Sequence, residues 1–131
     1  MDVDFWELES GEQRHADSPD SFWIPPRSER TSLRVGQAAK LLFAIEADDN
    51  GQVIVSVERM WVFVREVLDG GDYIGILDSV PASFDPTPDM YLALGVEIPF
   101  RAEHVIDIAN PPQDYVQWQL TQPPERFWPR D

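Results

Sequence analysis

At 131 residues, 43% of them hydrophobic, the chain is long enough for one domain with its own core, and with no cysteine it has neither disulfides nor thiolate metal sites. The 24 acidic against 10 basic residues leave a formal charge of −14, which disfavours nucleic acid as a partner and favours a basic protein. No apolar run approaches membrane-spanning length, and Asp2, Asp4, Glu7 and Glu9 stand where a leader would be basic and apolar, so a cytoplasmic protein free of the membrane is expected.

Residues 1–21 read as an acidic arm. Asp2, Asp4, Glu7, Glu9, Glu12, Asp17 and Asp20 face a single base, Arg14, and Phe5, Trp6 and Leu8 are its large apolar side chains. Such a segment is either a solvated arm that docks through its aromatic pair or a charged arm that meets a basic partner. Phe22-Trp23-Ile24-Pro25-Pro26 follows, and its prolines impose an extended path. Its apolar side chains suit burial across the domain better than an exposed SH3-type ligand, and Ser28–Ser32 suits a short helical turn.

From Leu33 the chain gains strand character. Gly36 supplies a sharp turn, and β-formers dominate after Leu42, although Ala38, Ala39, Lys40 and Leu41 leave a helix over 35–47 as the rival. Asp48-Asp49-Asn50-Gly51 is a turn. It lacks the alternate-position carboxylates and the distal glutamate of a calcium loop. The strongest signal is a hairpin, with Glu58–Val67 and Tyr73–Asp78 flanking a turn that carries Gly70 and Gly71. Both faces of the first run are apolar, with Met60, Val62 and Val64 on one and Trp61 and Phe63 on the other, so it must join a sheet and be covered from behind. Residues 82–89 form a proline-punctuated loop, 90–94 a helical turn, 96–100 a strand with Pro99 at an edge or bulge, and 104–108 a last short strand. The 110–131 tail is rich in proline and aromatics. Trp6, Trp23, Trp118 and Trp128 are the candidates to cover the hairpin's outer face.

These segments predict a mainly β protein: a small SH3/Tudor-like barrel of about five strands with a long central hairpin, short helical turns and Pro/aromatic-rich terminal segments. The domain spans 22–109, between the acidic arm and a tail (110–131) packed on it. Leu42, Met60, Val62, Val64, Ile74, Ile76, Ile98 and Val105 are its expected core. Which hairpin face points inward stays open.

The sequence carries no nucleophile elbow, phosphate loop or metal-ligand spacing, and no cofactor is expected. His15 and His104 are the only imidazoles. Glu58, Glu66 and His104 are the candidates for an alternative reading as a small hydrolase or carbohydrate-binding protein with a carboxylate cleft. Glu58 and Glu66 stand beside arginines along the strand, which fits surface ion pairs better.

Phe22-Trp23-Ile24-Pro25, Leu33-x-Val35-Gly36 with Lys40-Leu41-x-Phe43, Glu58-Arg59-Met60-Trp61-Val62-x-Val64, Tyr73-x-Gly75-x-Leu77-Asp78 with Pro81, and Leu94-Gly95 with Phe100 and Glu103-His104-Val105-Ile106-Asp107 form a further pattern. Over residues 22–108 it resembles a group of small bacterial domains of unknown function, some of them immunity proteins beside polymorphic toxins. The chain departs from that pattern at Gln37-Ala38-Ala39, where an acidic and a larger apolar residue are expected, so a local difference in the first strand is expected. The resemblance implies a non-enzymatic protein-binding module whose acidic surface neutralises a basic partner, such as a toxin domain. It brings no catalytic residues. Asp48, Asp49, Asp69 and Asp72, in the two turns, are the candidate partner-binding residues.

Overall fold

The computed structural model describes residues 5–82 and 91–129, with the backbone but not the side chains of residues 47–49. Trp6–Leu8 (β1) pairs antiparallel with residues 43–45. Ser10 then caps helix α1 (Gly11–Asp17) by accepting the Gln13 N–H at 3.1 Å. The segment read as an acidic arm therefore gives the sheet a strand, Trp6–Leu8, and the fold a helix. Phe5 is buried in the core and Trp6 and Leu8 pack against it, while Glu7 between them stays in solvent. Removing that apolar surface from water holds the segment down, and the acids need not be desolvated.

Arg27–Arg30 forms one helical turn (α2), as expected. Residues from Ala38 onward are strand, which resolves the rivalry with a helix. β2 (Ala38–Asp49) pairs along its length with β3 (Gln52–Val67) through a two-residue turn, with Asn50 and Gly51 at φ 55° and 84°. Strand alternation puts Leu41, Phe43 and Ile45 together in the core, and that burial outweighs the helix propensity of 38–41. β4 (Asp72–Leu77) completes the central hairpin, with Val62 opposite Leu77 and Val67 opposite Tyr73. The register shifts between Val64 and Glu66, which makes Arg65 the extra residue of a bulge.

β5 (Glu97–Arg101), a 3₁₀ turn (Ala102–His104) and β6 (Val105–Ala109) follow. Residues 91–94 are not helical, and Met90 and the 83–90 part of the preceding loop lie outside the described residues. Leu92 is fully buried instead, its side chain packed in the core. The strand order is β1-β2-β3-β4-β5, with β6 on the same edge of β2 as β1: β6 lies against Ala38–Leu41 and β1 against Phe43–Ile45. The protein is thus mainly β, a six-stranded antiparallel sheet curled into a half-barrel with short helices. The strand beyond the expected five is β1, too short to show a period.

All eight expected core residues are buried, but they divide between two faces. Met60, Val62, Val64, Ile98 and Val105 fill the interior. Leu42, Ile74 and Ile76 lie outside that cluster. Ile76 lines a cleft with Gln119, Gln122, Pro123 and Pro124, so helix α3 (Gln113–Thr121) and the chain after it cover the outer face there. Gly75 is dictated by packing: a Cβ there would sit 3.0 Å from Val62 Cγ2 and 3.1 Å from Phe100 Cε1.

The tail continues along β5. Val96 and Arg126 form a parallel bridge, the Glu97 N–H donates to the Arg126 carbonyl at 3.0 Å, and the Trp128 N–H donates to Glu97 Oε1 at 2.8 Å. The Trp128 ring then meets Trp6 at 5.8 Å and Tyr91 at 5.2 Å. Trp128 therefore packs on the domain, but beside the interior cluster through Trp6 and Tyr91 rather than over the hairpin's outer face, and Trp23 and Trp118 do not pack, at 66% and 56% exposed. In the Trp23 segment the neighbouring Phe22 makes the contact instead, under the Arg59 guanidinium at 5.4 Å.

The buried Arg30 side chain ties both early helices to the 3₁₀ turn. It donates to Glu12 Oε2 at 2.6 Å and to the carbonyls of Pro25 and Ala102, both at 2.9 Å. Among the described residues no helix is long and apolar enough to cross a membrane.

Candidate functional site

The β2–β3 hairpin outruns the rest of the sheet. β4 leaves β3 after Val62, and among the described residues the last backbone contact on that edge is at Trp61, whose carbonyl accepts the Asp78 N–H at 2.9 Å and whose N–H donates to Ser79 Oγ at 3.1 Å; one step further only the Glu58 side chain is met, by the Ala82 N–H at 2.8 Å. Residues of the same parity direct their backbone groups to the same side, so Val53, Val55 and Val57 point theirs outward along this edge. Among the described residues no backbone hydrogen bond reaches them from outside the hairpin. Their side chains share one face and are 71%, 57% and 42% exposed. Ile54, on the other face, is also exposed. The sequence reading placed strand character at Glu58 and missed this arm. Its signal was there in Val53-Ile54-Val55-Ser56-Val57, a β-branched run directly after Asn50-Gly51.

The four aspartates fall at opposite ends of β3. Asp48 and Asp49 end β2 at the tip of the arm, and their side chains lie outside the described residues. Asp69 is exposed in the β3–β4 turn, and Asp72 opens β4, its Oδ1 3.3 Å from Arg101 Nε across the β4–β5 ladder. The 16 residues of β3 separate the two pairs by roughly 50 Å of strand. They form two separate acidic sites.

The alternative set does not converge either. Glu58 accepts the Ala82 N–H at 2.8 Å, while Glu66 lies beyond the Arg65 bulge, opposite Ile74. About 25 Å of strand separates them, far more than the roughly 5–9.5 Å between the carboxylates of a glycosidase. His104 sits in the 3₁₀ turn, where its Nδ1 accepts the Arg101 N–H at 2.9 Å. Burial holds its imidazole below the usual pKa, against the pull of Glu103. His104, Asp72 and Arg101 rim a cleft of about 490 Å³ whose apolar lining includes Leu68, Ile74 and Trp128. Among the described residues no cluster of His, Asp and Glu could hold a metal ion.

The basic residues are largely committed within the fold. Arg14, Arg27, Arg30 and Arg101 are in ion pairs. Lys40 lies over the Trp61 ring and Arg59 over Phe22, and Arg65 donates to the Gln122 carbonyl. Glu7, Asp20, Glu29, Glu46, Asp69 and Glu125 are exposed and belong to none of these ion pairs. No family model, curated protein or solved structure matches the chain.

Proposed function

We propose that this chain is a non-enzymatic protein-binding module, of the immunity type, whose acidic surface captures and neutralises a basic protein such as a toxin domain. The observation that carries this reading is the division of charge: seven of the ten basic side chains are spent on internal contacts, while acids face solvent. A surface biased in this way attracts a cationic partner and speeds the encounter. The order of β2 to β6, a meander whose last strand returns after a 3₁₀ turn to pair with the first, supports an SH3/Tudor-like barrel as the scaffold.

Affinity capture from the native lysate at low and high salt tests the reading. A basic protein should be retained at low salt and lost as salt screens exposed charges beyond about 10 Å. Association of the purified pair should slow with salt more than dissociation quickens. Retention of no basic protein, together with a hydrolytic turnover abolished by Glu58→Gln, would overturn it in favour of the carboxylate-cleft alternative.

A further inference from the structure

Between Gln52 and Val57, among the described residues, the arm carries no proline, charge or bulge to keep its strand edge from pairing. Residues 52–59 of β3 contain no proline and no lysine, and the bulge at Arg65 lies beyond them. We infer that this edge pairs with the same edge of a second copy of the chain, antiparallel and two-fold symmetric about Val55.

The sequence of the edge complements itself in that register. Val55 faces Val55 of the second copy, Val53 faces Val57, Ile54 faces Ser56, Gln52 faces Glu58, and Gly51 faces Arg59. Valine meets valine at each position whose backbone groups point outward. Residues opposite one another there exchange both hydrogen bonds, which gives roughly six across the pair. The charges are compatible as well. No like charges are opposed in this register. A basic peptide would gain from the acidic surroundings but would not require this valine symmetry.

Two five-residue edges bury less than the roughly 1,200 Å² of a stable interface, so the dimer is weak and depends on concentration. Its salt response is opposite to that of a basic partner. Two copies each carrying −14 repel, so added salt strengthens the pairing while it weakens capture of a cationic protein.

The absence of cysteine allows a direct test. In the full chain, Val55→Cys places two thiols on residues about 5.5 Å apart at Cα, within disulfide reach. Val53→Cys alone leaves its equivalents offset by four residues, about 13 Å. Under mild oxidation Val55→Cys should give a covalent dimer. Val53→Cys should not, and a mixture of Val53→Cys with Val57→Cys should. Sedimentation of the wild type should show a monomer–dimer equilibrium that shifts to dimer with concentration and salt. Val55→Lys should abolish that shift without changing the melting temperature, because the residue is exposed. A wild type that stays monomeric, a Val53→Cys that cross-links as readily as Val55→Cys, or a dimer that survives Val55→Lys would each overturn the inference. None of these results bears on whether a basic protein is captured.

Discussion

Arg30 and Glu12 meet at 2.6 Å between two helices that the sequence separates by three prolines, Pro19, Pro25 and Pro26. The arginine is almost fully buried, whereas the Glu12 side chain is about one-third exposed at 35%. Removing the arginine strands two buried carbonyls and leaves the Glu12 carboxylate only its exposed pairing with Arg27 at 3.2 Å, while removing the carboxylate leaves the carbonyl bonds in place. Arg30→Ala should therefore destabilise the protein by about 2–3 kcal/mol, and Glu12→Gln by less than about 1 kcal/mol. Urea unfolding of both variants checks the order; equal losses would contradict it.

The same corner sets an acid dependence. The hydrogen bond from Arg30 holds the Glu12 carboxyl below its ordinary pKa, against a smaller opposing effect of burial. Burial also lowers the pKa of His104. In both cases the unfolded chain binds protons more readily than the folded one, so stability rises with pH through each window. The His104 contribution is complete above its unfolded value near 6.5 and is lost as pH falls through the lower folded value; the Glu12 contribution follows the same course from about 4.5 downward. His104→Asn should flatten the melting temperature just below pH 6.5 and leave the more acidic loss intact.

The tryptophans should separate sharply. Trp128→Ala removes a ring packed edge-on against Trp6 and Tyr91 and should cost about 2–3 kcal/mol. Trp23→Ala and Trp118→Ala should each stay within about 0.5 kcal/mol, because both rings are exposed. Thermal melts of the three variants would decide this, and a large loss at Trp23 would mean that the Phe22 segment packs differently.

Gly75→Ala forces a methyl group between Val62 and Phe100 in the interior of the half-barrel. Neither neighbour can move far in a packed core, so a loss of about 1–3 kcal/mol is expected. Combining it with Val62→Ala, which makes room, should cost less than the sum of the two single changes.

The hairpin was legible because its turn carries adjacent glycines and its strands carry β-branched residues on both faces. The sequence could not say which face would be inside, since Met60-Val62-Val64 and Trp61-Phe63 are equally apolar. That choice is made at long range, by β5 and β6 on one side and by α3 and the residues after it on the other. β1 went unread because a three-residue strand has no period and its acids imitate a solvated tail. α3 went unread because Gln113–Thr121 shows only a weak apolar stripe, with Val116 its one buried residue. The four aspartates read as turn residues in sequence, but only Asp69 lies in a turn; Asp48 and Asp49 end β2, Asp72 opens β4, and the length of β3 puts the two pairs at its opposite ends.

β2 takes neighbours on one edge from both ends of the chain, β1 beside Phe43–Ile45 and β6 beside Ala38–Leu41. During synthesis the β1 part of that edge is occupied as soon as β2 forms, because its partner has already been made. The β6 part must wait until more than half the chain has followed, with Lys40 opposite Asp107. Loop closure over that separation is slow, so folding should lag behind that of a helical protein of the same length. A ribosome-bound chain halted before Val105 would hold the central hairpin with one flank unzipped, and in that state it would be most exposed to association with its neighbours.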